Sequence, residues 1–184
     1  IRRLRWMGIS KPTWERFKPG RPRRAWMYDV EEVGYKYEMN DLAASLGLVQ
    51  LAKLEAANAQ RRRLVERYRD AFAGIDGVEF TPDKPYAANS CYNAVLRVPA
   101  SMRDELCEYL DRHGIDSNVH YYPHHLLPQY RPYTTRLPVT EMQWPRLLSI
   151  PLFPGLSPTE QDQVIQCISE FALSRGIRSR AACS

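Results

Sequence analysis

No stretch of the sequence approaches the run of about 18 apolar residues that a membrane-spanning helix requires. The opening Ile1-Arg2-Arg3-Leu4-Arg5-Trp6 also lacks the apolar stretch that follows the charges of a secretory signal. Both absences make the cytoplasm the expected compartment. Cysteine is sparse, and Cys91, Cys107, Cys167 and Cys183 show neither CxxC nor Cys/His spacing, which excludes a zinc site and a disulfide framework and predicts reduced, mostly buried thiols. There is no GxSxG, no cysteine with a positioned histidine and no paired-carboxylate arrangement. Lysine is scarce as well. An amine nucleophile would have to be Lys11, Lys18, Lys36, Lys53 or Lys84, and Schiff-base chemistry needs a desolvated one. Lys11, Lys18 and Lys84 lie in proline-rich polar stretches and Lys53 sits near Glu55 on a helical pattern, which leaves Lys36 with the one arguable setting.

What the chain does contain is a globular composition, 44% hydrophobic and 26% charged, far from that of disordered chains. At 184 residues it can bury roughly 70% of its unfolded surface. Its net charge of +5 is unevenly placed: residues 1–24 hold nine basic side chains against one acid, Glu15, so that stretch carries +8 and the remainder −3. No recognition helix, RRM or zinc-finger signature accompanies the basic stretch, so nucleic acid is not the expected partner. A solvated face, or a rim that attracts an anionic small molecule, is the expectation. The chain does not open on Met, and its first residues read like the last turns of an amphipathic helix, as expected of a piece of a longer protein.

Residues 11–29 carry three prolines and a glycine, which predicts a loop. Trp14, Phe17, Trp26 and Tyr28 within it call for burial against another domain or subunit. From Asn40 a helical pattern begins, with Asn40 or Asp41 as N-cap and a broad apolar face kept thin by Ala43, Ala44, Ser45 and Gly47. That face fits either a core or a packed interface. A second helix is read from about Ala56 to Phe72, with Leu64, Tyr68 and Phe72 inward, ended by Gly74 and Gly77. Strands are expected at Val78–Phe80, Ser90–Val98 and Ile115–Tyr121, and helices at Ser101–His113, capped by Ser101, and Pro158–Leu173. The sum is an α+β domain: a small sheet with helices on one face.

Two stretches could carry chemistry. His120-Tyr121-Tyr122-Pro123-His124-His125 places imidazoles and phenols where a strand gives way to proline turns, a setting for ligand contact; no carboxylate or cysteine stands at metal-ligand spacing. Gly34-Tyr35-Lys36-Tyr37 feeds a helix N-terminus, where free N–H groups, the helix dipole and the Lys36 charge could meet a phosphate. An ordinary turn and cap is the other reading of this second stretch.

These stretches and their surroundings resemble the C-terminal half of the DegT/DnrJ/StrS sugar aminotransferases, a branch of the aspartate-aminotransferase fold. The carrying residues are Arg5-Trp6-Met7-Gly8-Ile9, GYKYEMNDLAASLGLVQLAKLE from Gly34 to Glu55, Gly114-Ile115, VHYYPHHLLPQY from Val119 to Tyr130, and LPVTEMQWPRLLSIPLFPGLSPTEQDQVI from Leu137 to Ile165. The resemblance implies the C-terminal part of a fold-type-I (α/β) enzyme that uses pyridoxal 5'-phosphate to pass an amino group, usually from glutamate, to a nucleotide-linked keto-sugar in sugar or polysaccharide biosynthesis. It implies that the Schiff-base lysine belongs to a larger N-terminal domain, so no catalytic lysine is expected here. It also implies a homodimer in which the loop Gly34 to Met39 completes the partner's active site, with Lys36 and Tyr35 near the cofactor phosphate. His120, Tyr121 and His125 fall at the substrate-facing positions. Two positions stand apart: Glu38, where a number of relatives carry Arg, and the additional His124. The implied organisation is 1–38 as the end of the cofactor domain and dimer-contact loop, 39–74 as connecting helices including a long interdomain helix, 75–175 as the small domain, and 176–184 as a tail. A non-catalytic nucleotide-sugar-binding module descended from such an enzyme is the second expectation.

Overall fold

The structure is a computed structural model that describes residues 1–10, 19–20, 27–133 and 135–177. Trp14, Phe17 and Trp26 of the expected docking loop, and Cys183, lie outside the described residues. Two compact units divide at Lys53/Leu54, inside a helix, and each is described by itself.

In the first unit, residues 3–10 are laced to residues 29–37 by isolated antiparallel bridges at Trp6↔Lys36 and Ile9↔Val30. Backbone N–H groups of Met7, Tyr35 and Tyr37 donate to the carbonyls of Tyr35, Leu4 and Arg5. The two segments approach so closely that only glycine fits: a Cβ at Gly34 would stand 2.2 Å from the Gly8 nitrogen, and one at Gly8, whose φ is +71°, would stand 1.7 Å from the Glu32 carbonyl oxygen. Two of the N-terminal basic side chains are paired, Arg3 with Glu31 and Glu32 and Arg5 with Glu38.

Helix α1 spans Asp41–Phe72 without a break, one helix of 32 residues rather than the two expected. Good helix formers run through residues 52–57 and no proline or glycine interrupts them, so nothing stops propagation. Asn40 is its cap, its Oδ1 accepting the Ala43 N–H at 2.8 Å. In the first unit the apolar face of α1 is not used by the chain's own core: Leu42, Leu46 and Val49 are all more than half exposed.

The second unit holds the core. Strands β1 (Glu79–Phe80), β2 (Ala94–Arg97) and β3 (Leu147–Ile150) form an antiparallel sheet in the order β1-β2-β3, with Leu96 opposite Leu148. Ala94 and Leu96 are buried, and Val95 and Arg97 between them are half-buried, the period-two alternation of a sheet with one well-covered face. Helices α2 (Arg103–Arg112), α3 (Pro138–Gln143) and α4 (Pro158–Ser174) complete the unit. Val65, Tyr68 and Phe72 of α1, Leu106 and Leu110 of α2, and Val164, Ile168 and Phe171 of α4 join the strands in one core. Tyr68 is fully buried, its hydroxyl donating to the Pro151 carbonyl at 3.1 Å, and burial pushes its phenol far above the ordinary value. Gln161, 1% exposed, is tolerated because its amide donates to the Leu64 carbonyl at 2.8 Å and accepts from Arg67.

Several boundaries differ from the sequence reading. Ser101 does not cap α2; Met102 occupies that position without a side-chain bond, while the Met102 N–H closes a turn on Pro99. The strand expected at Ile115–Tyr121 contracts to one bridge, Asn118↔Ser149, since the Asn118 side chain takes the Val119 N–H for itself. Helix α4 carries a full capping box, Ser157 with Glu160. Cys91 and Cys167 are buried free thiols and Cys107 is half-buried and free. No helix among the described residues is long and apolar enough to cross a membrane.

Leu96→Ala, at 0% exposure, is expected to cost about 2–5 kcal/mol of unfolding free energy. Ser157→Ala should cost about 1 kcal/mol through the lost cap. Leu46→Ala, 62% exposed, should stay within about 0.5 kcal/mol of the parent in urea titrations read at constant m-value.

Candidate functional site

The histidine-rich loop begins where the chain leaves the sheet edge. Ser149 of β3 is 8% exposed and exchanges two backbone bonds with Asn118, at 3.0 and 2.7 Å. Its hydroxyl shares a 2.9 Å hydrogen bond with His120 Nδ1. The imidazole is thus fixed from the sheet, leaving Nε2 as the ring atom able to meet a ligand. Tyr121 stands edge-on to His120 at 5.0 Å and remains 74% exposed. Tyr122 meets Trp144 edge-on, and the guanidinium of the buried Arg103 lies over the Trp144 ring at 5.0 Å, tying the loop to α2.

Farther along, two short 3-10 turns, His124–Leu126 and Pro128–Tyr133, fold the chain back toward α3. His125 is the most enclosed of the loop's imidazoles: its side chain is 10% exposed and Nε2 lies 3.2 Å from Glu141 Oε1. Glu141 also accepts the Leu137 N–H at 3.0 Å, so one carboxylate closes the start of α3 and holds the loop. That backbone bond, followed by the His125 contact, keeps the Glu141 carboxyl below the usual value of 4.5. His124 stacks on Tyr130 with centroids 6.0 Å apart and planes 24° apart. These two rings, with His125, Tyr133, Leu137 and Thr140, line a cavity of about 400 Å³.

In the first unit, Lys36 Nζ stands 5.4 Å over the Trp6 ring and makes no ion pair with a described carboxylate. Tyr35 and Tyr37 stack at 5.1 Å and are both exposed. Asn40 caps the Ala43 N–H and Asp41 sets a negative charge in the first turn of α1, which makes the Lys36 ammonium the stronger anion-attracting feature. Glu38 is turned to Arg5 at 2.9 Å, so its charge is compensated locally. Lys36 lies over Trp6 while its neighbours Tyr35 and Tyr37 stack on one another, so the ammonium fits as a single contact to a phosphate and the segment does not enclose an anion. Trp6 Nε1 is buried without a hydrogen-bond partner.

Sequence reading had singled out Lys36, Tyr35, His120, Tyr121 and His125. The structure carries His120, Tyr121 and His125 on one loop of the second unit and places Lys36 and Tyr35 on one extended segment of the first, where Lys36 bridges Trp6. It adds Ser149 and Glu141, neither of which carries a local signal, since each becomes relevant by contact with a residue 29 or 16 positions away. The three described lysines, Lys36, Lys53 and Lys84, are exposed, and none has the desolvated setting a Schiff base needs. No cluster of metal-ligating side chains occurs among the described residues.

The fold is similar to those of solved sugar aminotransferases. The structure matches the aminotransferase TlmJ from Streptoalloteichus hindustanus with a TM-score of 0.79 at 28% identity, covering 95% of this chain and 44% of that one. It matches the PMP-form of the sugar aminotransferase Spr1654 from Streptococcus pneumoniae with a TM-score of 0.79 at 28% identity, over 94% and 44% of the two chains. For the sugar aminotransferase CalS13 from Micromonospora echinospora the values are 0.78 and 25%, over 92% and 43%. The chain therefore spans less than half the length of these proteins. The profile of the DegT/DnrJ/EryC1/StrS aminotransferase family matches residues 1–169, and the chain belongs to that family.

Because the folded-state pKa of Glu141 is depressed, its contribution to stability is present above the unfolded value near 4.5 and is lost as pH falls through the folded value. Urea midpoints of the parent should therefore drop between about pH 5 and pH 3 more than those of Glu141→Gln, whose deficit should be largest at neutral pH.

Proposed function

We propose that this chain is the C-terminal portion of a pyridoxal-phosphate-dependent aminotransferase that moves an amino group from an amino-acid donor to a keto-sugar nucleotide, in cytoplasmic sugar or polysaccharide biosynthesis. One observation carries the reading: the family profile runs through both the Lys36 segment and the His120–His125 loop, in a chain whose described lysines are all exposed. The amine that takes the cofactor is accordingly assigned to polypeptide beyond these residues. Pyridoxal phosphate, when bound, supplies the electron sink for amino-group exchange.

The chain's own part is binding and orientation. Lys36 and Tyr35 would offer a cation and a phenol to the cofactor phosphate, in a homodimer whose partner's active site the loop Gly34 to Met39 completes. His120, aligned by Ser149, and the exposed Tyr121 would hold sugar hydroxyls, and His125, braced by Glu141, would fix the far side of that loop. Positioned groups of this kind lower the entropic cost of bringing reactants together. The uncovered apolar face of α1 at Leu42, Leu46 and Val49 suits burial against the cofactor domain or the second subunit, since monomers seldom expose such patches. Residues 39–74 then act as the connector and 75–175 as the small domain. The alternative is a cofactor-free nucleotide-sugar-binding module, and the preassembled His120 loop is the feature that favours it.

The 184-residue chain mixed with pyridoxal phosphate, glutamate and a keto-sugar nucleotide should form no amino-sugar. Borohydride reduction should leave no phosphopyridoxyl adduct at any of its five lysines, and an adduct found by mass spectrometry would contradict the reading. In an assembly that includes a lysine-bearing half, Lys36→Ala should weaken cofactor binding by about three- to tenfold, measured by fluorescence titration, as expected for loss of one charge-assisted contact.

A further inference from the structure

Ser149 is the one polar residue of β3, set between Leu148 and Ile150, and it is 8% exposed. Its backbone N–H and carbonyl both bond to Asn118, so the main chain is held there without help from the hydroxyl. Among the described residues that hydroxyl has a single hydrogen-bond neighbour, His120 Nδ1 at 2.9 Å. A hydroxyl can give or take such a bond, and so can an imidazole nitrogen. Were Nδ1 to carry the proton, the Ser149 O–H would be buried with no acceptor, an arrangement that folded proteins avoid because a desolvated donor goes unmatched. With the O–H donating to Nδ1, no donor of the pair is left over. The remaining contact of the His120 ring among the described residues is Tyr121, edge-on at 5.0 Å, which brings no charge to bias the proton the other way.

A bare, accepting Nδ1 puts the ring's proton on Nε2, and His120 is exposed. The imidazole is then a fixed donor. It can hold a carbonyl, ether, phosphate or hydroxyl oxygen, whereas an ammonium brought to the same point would find no lone pair. His125, farther along the loop, is wired through its other nitrogen: its Nε2 faces the Glu141 carboxylate, which when ionised can only accept, so that nitrogen keeps its proton and is engaged within the chain. We propose that Ser149 is a positioning residue that fixes His120 as an Nε2–H donor, so that the loop accepts a ligand oxygen and rejects an amino group at that point. The direction of the bond stands on the geometry alone; that the oxygen belongs to a sugar rests on the reading above. Ser149 itself touches no substrate and acts through His120.

Nitrogen-15 NMR of the uniformly labelled 184-residue chain, at a pH where imidazoles are neutral, distinguishes a bare ring nitrogen from a protonated one. In the parent, His120 should show a bare Nδ1 and a protonated Nε2. Ser149→Thr, which keeps the hydroxyl, should reproduce that pattern, and Ser149→Ala should move both nitrogens toward the averaged values of a ring exchanging tautomers. The His125 pattern should be the same in all of these chains. A parent whose His120 Nδ1 carries the proton would overturn the assignment, and that spectrum decides even if the alanine chain does not fold. So would a Ser149→Ala chain, folded by circular dichroism, that keeps the parent's His120 pattern. In an assembly that includes a lysine-bearing half, Ser149→Ala should raise KM for the keto-sugar nucleotide about three- to tenfold and leave kcat within about twofold, with Ser149→Thr restoring KM. A fall in kcat at unchanged KM would overturn the binding role. A parent assembly that transfers no amino group would remove the enzymatic reading, while a bare Nδ1 in the parent would still uphold the role of Ser149 toward His120.

Discussion

Leu96 of β2 paired with Leu148 of β3, both at 0% exposure, is the contact on which the rest of the second unit depends. It fixes β3 in register, and a one-residue slip would exchange Leu148 for Ser149 on the buried face. Register places the Ser149 backbone against Asn118 and its hydroxyl against His120. The loop that carries His120 and Tyr121 is therefore oriented by hydrophobic pairing two strands away.

From that anchor the loop is held at three further points by three kinds of force. Tyr122 is fixed by ring contact with Trp144, His125 by the Glu141 carboxylate, and His124 by stacking on Tyr130. None of these is strong alone, as expected for half-exposed pairs. Together they give a proline-rich segment one conformation without a strand or long helix of its own, as a binding loop on a rigid scaffold requires. Tyr121 is the member left exposed, with its hydroxyl available.

The first unit follows a different logic. Its segments are joined by backbone bonds and by the close glycine approach at Gly8 and Gly34, with little buried apolar surface. Lys36 is held over Trp6 while its charge stays in solvent, and Glu38 spends its charge on Arg5. The apolar face of α1 is exposed at Leu42, Leu46 and Val49.

The amino-acid sequence by itself determined the helices, because a 3.6-residue period, the Ser157 cap with Glu160 and the inward Tyr68 and Phe72 are properties of neighbours a few positions apart. It also marked the chemically equipped loops, since clustered His and Tyr beside prolines are visible as residue types. The shortening of the Ile115–Tyr121 strand to one bridge and the very existence of β3 were decided by tertiary structure. Each rests on partners far along the chain, and hydrogen bonds such as Asn118 with Ser149 leave no periodic trace in either segment. The same holds for Ser149 and Glu141: a buried serine and a lone glutamate are ordinary until folding brings an imidazole to each.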